Sequence, residues 1–123
     1  LPWSYRWRSL LDAGILLGAG SDFPIEPAKP LEGIDAFVRR IPRGATSSWQ
    51  SQECITVQEA LYAFTEGAHR TADVEYCRGR LAPGYDADLT IVDTDLEACA
   101  PEQLADASVV ATFTAGLCRF ARS

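Results

Sequence analysis

The start of the chain changes from a helical spacing of apolar residues to an unbroken apolar run. Four apolar residues share one face of a predicted helix: Trp3, Trp7, Leu10 and Leu11. Gly14 stands where a C-terminal cap belongs. Residues 15–19 (ILLGA) show no polar alternation, which is typical of a strand buried on both faces. The pattern predicts the helix–glycine–strand order of an α/β unit.

A second amphipathic helix is predicted after residues 20–30 (GSDFPIEPAKP), which are irregular because they contain three prolines. Pro30 can occupy the first turn of this helix. Its apolar face carries five residues: Leu31, Ile34, Phe37, Val38 and Ile41. Three cations complement the dipole at its end, and we expect them to be solvated: Arg39, Arg40 and Arg43. The polar residues 42–53 are predicted to form a loop.

A third helix has a clear N-terminal signal. Thr56 and Glu59 have the spacing of a capping box. Four apolar residues of this helix are predicted to face inward: Val57, Ala60, Leu61 and Phe64. The residues that follow (TEGAHRTA) predict a further short helical turn beyond Gly67.

From about residue 75 the pattern indicates β-structure with tight turns. Residues 79–81 predict a brief strand, Pro83-Gly84 suits the middle of a type II turn, and residues 89–92 predict a second strand. Residues 101–106 predict one helical turn. The clearest hairpin joins residues 109–113 to 117–120 across Ala115-Gly116. The fold class is therefore α/β followed by β, and both parts lack partner strands that their edges need.

Composition narrows the class of protein. The chain has 123 residues, 47% of them hydrophobic, which favours a globular fold over disorder. A net charge of −6 argues against a nucleic-acid partner, since phosphate binding needs clustered cations. No apolar stretch approaches the ~20 residues of a membrane span. The four cysteines, at 54, 77, 99 and 118, form no metal-binding pair or dense disulfide pattern, so we expect free thiols and a cytoplasmic protein.

Four stretches of the sequence, taken in order, resemble the C-terminal part of amidohydrolase superfamily enzymes: GSDFP, EALYAFTEGAHRTA, GRLAPGYDADLTIVDTD and VVATFTAGLCRF. The similarity is to the amidohydrolase-3 branch, which includes N-substituted formamide deformylases. GSDFP alone is a weak signal. It becomes rather specific when G-x-L-x-x-G-x-x-A-D-L follows some sixty residues later, from Gly79 to Leu89.

This resemblance implies a fold and a domain division. Enzymes of the family are metal-dependent hydrolases with a (β/α)8 barrel and a small β-sandwich made from both chain termini. Residues 1–74 would then be the end of the barrel, with residues 15–19 as its eighth strand. Residues 75–123 would be the C-terminal part of the sandwich. Active sites of such barrels lie at the C-terminal ends of the strands.

The resemblance also places Asp22 where the family keeps an aspartate that binds the catalytic metal and accepts a proton from the metal-bound water. A metal lowers the pKa of its water to ~7, so a neighbouring carboxylate can take the proton at neutral pH. The alternative is that Asp22 is a turn or capping residue after a strand. Phe23 and Ile25 could wall a pocket for an apolar substrate or pack under the loop.

The remaining ligands that the resemblance implies are absent from this sequence. The family uses an H-x-H pair, a bridging residue and two further histidines, whereas this chain has one histidine, His69, and one lysine, Lys29. We expect His69 to pack on or beside its helix and Lys29 to be exposed. Catalytic zinc needs about three protein ligands, so zinc or another divalent metal is expected in the complete enzyme and not in this chain alone.

We expect other carboxylates near these motifs to have structural roles or to be solvated. Asp86 and Asp88 fall in the turn that the family uses structurally, and Glu26 is predicted to be solvated.

Two functions follow from these observations. The first is a fragment of a metal-dependent hydrolase of non-peptide C–N bonds in amides, formamides or cyclic amides, inactive alone. Its partners would be a small-molecule substrate and the missing N-terminal half of the barrel, which could be encoded separately. The second is a non-catalytic module that self-associates or binds a partner, because its strand edges and apolar faces lack neighbours. Neither function calls for nucleic acid or a membrane.

Overall fold

The computed structural model of this chain describes residues 3–123, so the first two residues of the predicted barrel part lie outside the described residues. A layer of helices packs beside a small sheet. The helices are α1 (Trp7–Asp12), α2 (Pro30–Arg39), α3 (Val57–Tyr62) and α4 (Ala68–Thr71). The strands are β1 (Leu89–Val92), β2 (Val109–Thr114) and β3 (Leu117–Ala121). Short 3-10 helices span Ser51–Glu53 and Pro101–Asp106, and a π turn spans Ala63–Gly67.

The first helix is shorter than the apolar pattern predicts. It begins at Trp7, and Trp3 lies outside it in an exposed turn, so the prediction is wrong for Trp3. Gly14 has a φ of +76°, a conformation that suits glycine after a helix. Ion pairs fix α1 to the rest of the chain: Arg6 bonds Glu53 at 3.0 Å and Arg8 bonds Glu59 at 2.7 Å.

The second helix forms as its sequence predicts. Pro30 is its first residue, and Ile34 is buried in a cluster with Ile55 and Ala60. Seven partly buried residues surround this cluster: Trp7, Leu11, Leu31, Phe37, Val38, Leu61 and Phe64. The helix ends at Arg39, so Ile41 lies beyond it and is exposed.

Arg40 is buried rather than solvated, with a relative exposure of 5%, which corrects the expectation for the end of α2. Its guanidinium lies over the rings of Trp7 and Trp49, at 4.5 and 5.0 Å from their centroids. It also donates to the Tyr5 carbonyl at 2.9 Å. Burial lowers the pKa of Arg40. The aromatic rings are distant in sequence, so local charge patterning could not reveal this environment.

The third helix starts with the predicted capping box. The Thr56 hydroxyl accepts from the Glu59 N–H at 3.2 Å, and the Glu59 carboxylate accepts from the Thr56 N–H at 2.8 Å. Helix α3 continues through the π turn into α4, which confirms the predicted helical turn beyond Gly67. Among the described residues, no helix is long and apolar enough to cross a bilayer.

The three strands form one antiparallel sheet in the order β1-β2-β3. The predicted hairpin is confirmed, since Thr114 pairs with Leu117 across Ala115 and Gly116. Both turn residues have positive φ, as a type I′ turn requires. Every residue of β3 is exposed. The brief strand predicted at residues 79–81 is absent, because Gly79 has a φ of +89° and the chain bends there.

A second cluster joins the helices to the sheet region. Leu96, Leu104 and Ala107 are buried, and Leu31 and Val38 of α2 pack against them. The predicted division at residue 74 therefore falls between two parts that share apolar contacts, and it stays a prediction.

Residues 15–20 do not form the predicted barrel strand. Ile15 and Leu16 are exposed, and within residues 3–123 no strand lies beside this segment to complete a ladder. A strand is stabilised by hydrogen bonds to neighbouring strands, because an isolated extended chain leaves its backbone groups unpaired. Among the described residues, no strand pairs with this apolar run.

Candidate functional site

Asp22 lies just beyond the apolar segment, in a short turn. The turn is closed by two backbone hydrogen bonds: from Ile25 N–H to the Asp22 carbonyl at 2.9 Å, and from Glu26 N–H to the Ser21 carbonyl at 3.2 Å. Asp22 is exposed and has a φ of +50°, which aspartate tolerates better than most residues. Its carboxylate is therefore presented to the surface from the end of residues 15–20.

Phe23 and Ile25 follow Asp22 in the same turn and are also exposed, at 71% and 76%. Neither lines the cavities described below, so the structure places both residues beside Asp22 without enclosing a pocket around them. Their assignment to substrate binding stays a prediction. Glu26 is exposed, as expected.

The segment that leads to Asp22 is held against the helix formed by α3, the π turn and α4. Ala19 donates its N–H to the Ala63 carbonyl at 2.9 Å. The Leu17 carbonyl lies so close to Gly67 that a Cβ there would overlap it. A Cβ on Gly18 would lie 2.5 Å from the Thr71 hydroxyl oxygen. Gly18 is therefore packed closely against this helix, whereas Gly20 has open space around it.

The described residues alone do not fit a catalytic metal. They contain no group of three or more His, Cys, Asp or Glu side chains placed to hold one ion. One carboxylate falls short of the ligand set that catalytic zinc needs. Lys29, expected to be exposed, pairs with Glu32 at 2.7 Å on the surface.

His69 and Asp22 do not line a common cavity among the described residues. Its Nδ1 is 2.7 Å from the Thr65 carbonyl, one helical turn earlier. It lines a cavity of about 660 Å³ between the helices and the sheet, with Arg80 and Phe113 on other walls. Asp22 is not part of that lining. This arrangement agrees with the expectation that His69 packs beside its helix.

The glycine-rich motif downstream shapes turns of the sheet region. Gly84 has a φ of +92°, and Tyr85 N–H bonds the Ala82 carbonyl at 3.1 Å, which is the predicted type II turn. The Asp88 carboxylate accepts from Ala115 N–H at 2.8 Å and so fixes the hairpin turn. Asp86 pairs with Arg78 at 2.8 Å. The structural roles predicted for Asp86 and Asp88 are confirmed.

Two carboxylates with strongly lowered pKa values lie in the helical layer, and both have structural partners. Hydrogen bonds from Ser9, followed by the contact with Arg6, lower the pKa of Glu53 to about 2. Arg8, with further donors at Thr56, lowers the pKa of Glu59 to about 2. Both groups are therefore ionised at neutral pH and bind α1 to the rest of the helical layer.

Sequence reasoning missed the aromatic cluster around Arg40. Tyr5, Trp7 and Trp49 enclose the guanidinium and line an open cavity of about 200 Å³. The signal available in the sequence was the unusual density of Trp and Tyr near the first arginines. The cavity lined by this aromatic cluster does not include Asp22.

Comparison with known proteins finds similarity to amidohydrolases and to a formamide deformylase. The profile of the amidohydrolase family matches residues 1–120. The chain is 41% identical over 103 residues to YtcJ of Bacillus subtilis (strain 168), which is 82% of this chain and 20% of YtcJ. It is 30% identical over 117 residues to the N-substituted formamide deformylase of Arthrobacter pascens, which is 94% of this chain and 21% of the deformylase.

A plant protein and a solved structure extend this comparison. The chain is 37% identical over 113 residues to the protein LONG AFTER FAR-RED 3 of Arabidopsis thaliana, covering 92% of this chain and 19% of that protein. Its fold matches a crystal structure of an amidohydrolase from Thermotoga maritima MSB8 with a TM-score of 0.72 at 18% identity. That match covers 96% of this chain and 26% of the other. The chain spans about a fifth of the length of the curated relatives.

Proposed function

This chain belongs to the amidohydrolase family, and from that membership we propose that it supplies the C-terminal part of a metal-dependent hydrolase of non-peptide C–N bonds. The substrate class is an amide, formamide or cyclic amide. The observation that carries the proposal is the family match over residues 1–120 together with an exposed aspartate directly after the apolar segment. The deformylase relative supports the choice of a C–N bond.

Asp22 is the residue of this chain that we assign to the chemistry. Its carboxylate would be one ligand of a divalent metal and would accept a proton from the attacking water. Since the described residues hold no cluster of three metal-binding groups, the other ligands must come from outside them. Phe23 and Ile25, both exposed in the turn after Asp22, would contact an apolar part of the substrate.

A hybrid enzyme tests this role. In the hybrid deformylase, this chain replaces the matching C-terminal fifth of the Arthrobacter pascens enzyme, and hydrolysis of an N-substituted formamide is measured. Asp22→Asn is expected to lower kcat by roughly 10²- to 10⁴-fold, the usual contribution of a general acid or base.

The matched control is Asp73→Asn. Asp73 is also exposed and also has a positive φ, of +58°, so it controls for the same chemical change in the same backbone conformation. It is expected to leave kcat unchanged. An Asp22→Asn hybrid as active as the Asp73→Asn hybrid would refute the assignment.

A second function, that of a non-catalytic module that self-associates or binds a partner, is favoured by the exposed apolar surface. Every residue of β3 is exposed, and large apolar side chains are exposed elsewhere in the described chain, including Phe23, Ile25 and Leu81. Unpaired strand edges and apolar faces of this kind attract partners. Light scattering after gel filtration separates the cases: a stable monomer at high concentration would count against self-association.

A further inference from the structure

We infer that Gly67 is a positioning residue for Asp22, because it gives the Leu17 carbonyl room to pack against the π turn. We call this packing the glycine contact: the Leu17 carbonyl against Gly67, with the bond from Ala19 N–H to the Ala63 carbonyl beside it. The inference rests on the proposed function, in which Asp22 is the reacting carboxylate.

Residues 15–20 depend on this contact for their placement. No strand flanks them within the described part of the chain, so a sheet ladder cannot fix them there. Their backbone is joined to its surroundings by two hydrogen bonds: Ile15 N–H to the Leu10 carbonyl at 3.0 Å, and Ala19 N–H to the Ala63 carbonyl at 2.9 Å. The first bond ties the segment to the end of α1. The second ties its other end to the π turn.

Gly67 is required by space and not by its own backbone conformation. Its φ and ψ are −58° and −46°, which every residue adopts in a helix. Glycine at such a position weakens a helix relative to alanine. What forbids a side chain is the Leu17 carbonyl, which a Cβ at Gly67 would overlap. Backbone atoms cannot rotate away as the end of a side chain can, so the segment itself would have to move.

The π turn is suited to holding residues 15–20 in place. Turns with i→i+5 bonds occur mostly as single interruptions of α-helices, and frequently at functional sites. Here the turn Ala63–Gly67 interrupts the helix between α3 and α4 at the place where the segment crosses. It supplies both the Ala63 carbonyl and the side-chain-free surface of Gly67.

A displacement of residues 17–19 is expected to move Asp22 as well, because the segment that connects them is short. Two residues separate Ala19 from Asp22, and the turn that Asp22 begins is closed by the hydrogen bonds from Ile25 and Glu26. A catalytic carboxylate has to be held within about 0.5 Å of its working position. Moving the Leu17 carbonyl away from Gly67 is therefore expected to displace the carboxylate of Asp22 as well.

The first experiment measures amide hydrogen exchange of Ala19 in the 123-residue chain. Gly67→Ala is expected to raise the exchange rate of the Ala19 amide by about tenfold or more, because the bond to the Ala63 carbonyl is lost by local opening. Gly20→Ala is the matched control, since a Cβ at Gly20 meets no atom within 4 Å. It is expected to leave the rate unchanged, and equal rates in the two variants would overturn the inference.

A second variant keeps the test decisive if Gly67→Ala does not fold. Gly18→Ala introduces a Cβ at 2.5 Å from the Thr71 hydroxyl oxygen and 2.7 Å from its methyl group, on the other side of the segment. Both of these clashes are with a side chain, so Thr71→Ala removes them and leaves the Gly67 carbonyl, at 3.2 Å, as the remaining tight contact. The double variant is expected to restore most of the slow exchange of Ala19. Fast exchange that persists in the double variant would contradict a packing origin.

The second experiment links the contact to catalysis in the hybrid deformylase. Gly67→Ala is expected to lower kcat by about tenfold or more with a smaller change in KM, since a misplaced catalytic group costs rate more than binding. Normal kcat in Gly67→Ala beside an inactive Asp22→Asn hybrid would refute positioning and leave the proposed function intact. An active Asp22→Asn hybrid would refute the function, and Ala19 exchange alone would then report whether Gly67 holds the segment.

Discussion

Residues 15–20 and the hairpin of β2 and β3 are both short and apolar, and they obtain their backbone contacts in different ways. The hairpin carries its partner strand two residues away, across Ala115 and Gly116. The earlier segment has no neighbouring strand within residues 3–123 and rests on a helix instead. An apolar run therefore forms a strand only where a second strand is available to pair with it.

The same comparison gives glycine two separate roles. At Gly116, with a φ of +76°, glycine relieves backbone strain, and an added Cβ would meet its nearest neighbour at an ordinary 3.9 Å. At Gly67 the backbone is ordinary, and glycine relieves crowding by the Leu17 carbonyl. The hairpin needs glycine at 116 for the dihedral angles of that residue. The π turn needs glycine at 67 because the Leu17 carbonyl, distant in sequence, packs against it.

Gly116→Ala disrupts the hairpin turn, and its expected effect on stability is larger than that of the Glu59 substitution described below. The free energy of unfolding is expected to fall by about 1–2 kcal/mol, the cost of a non-glycine residue in the left-handed region. Urea unfolding measures the change, and Gly20→Ala serves as the control with an expected loss below about 0.5 kcal/mol. Exchange at Ala19 should stay slow in Gly116→Ala. Faster exchange there would mean that the two regions are coupled.

Lowering the pH is expected to destabilise the helical layer, because it protonates Glu59. Arg8, with further donors at Thr56, lowers the pKa of Glu59 from 4.5 to about 2. A carboxyl group whose pKa is lowered on folding stabilises the fold fully above the unfolded pKa and loses that contribution as pH falls toward the folded pKa. Stability tied to Glu59 is therefore lost between about pH 4.5 and 2.

Glu59→Gln isolates this contribution. Between about pH 6 and pH 3 the wild-type chain is expected to lose on the order of 1 kcal/mol more than the variant, a modest value because the ion pair is partly exposed. Glutamine retains the capping-box geometry. Asp93, whose pKa is lowered by Ser108 N–H and by Arg122, gives the sheet an acid dependence that the variant keeps. Identical pH profiles of the two proteins would contradict the role of Glu59.

Elements whose determinants are close in sequence could be predicted. Pro30 begins α2, Thr56 and Glu59 form the capping box, and Ala115-Gly116 forms the hairpin turn, each from signals within a few residues. The family could also be identified, because spaced motifs carried it. The catalytic role given to Asp22 stays a prediction.

Features that depend on distant residues were missed. Arg40 is buried because Tyr5, Trp7 and Trp49 surround it, and the bond to the Tyr5 carbonyl spans 35 positions. The apolar run at residues 15–19 has the composition of a buried strand, but composition does not show whether a partner is present. Gly67 gave no signal of its own, since a glycine with helical dihedral angles is explained only by what packs on it.

We propose that Asp22 is one part of a hydrolase site whose other ligands lie outside the described residues. The most direct test is metal analysis of the purified 123-residue chain after exposure to zinc, together with an amidase assay on the same sample. We expect zinc well below one ion per chain and no turnover, because a single carboxylate falls short of the about three ligands that catalytic zinc needs. Stoichiometric zinc accompanied by hydrolysis of a formamide or amide would contradict the claim.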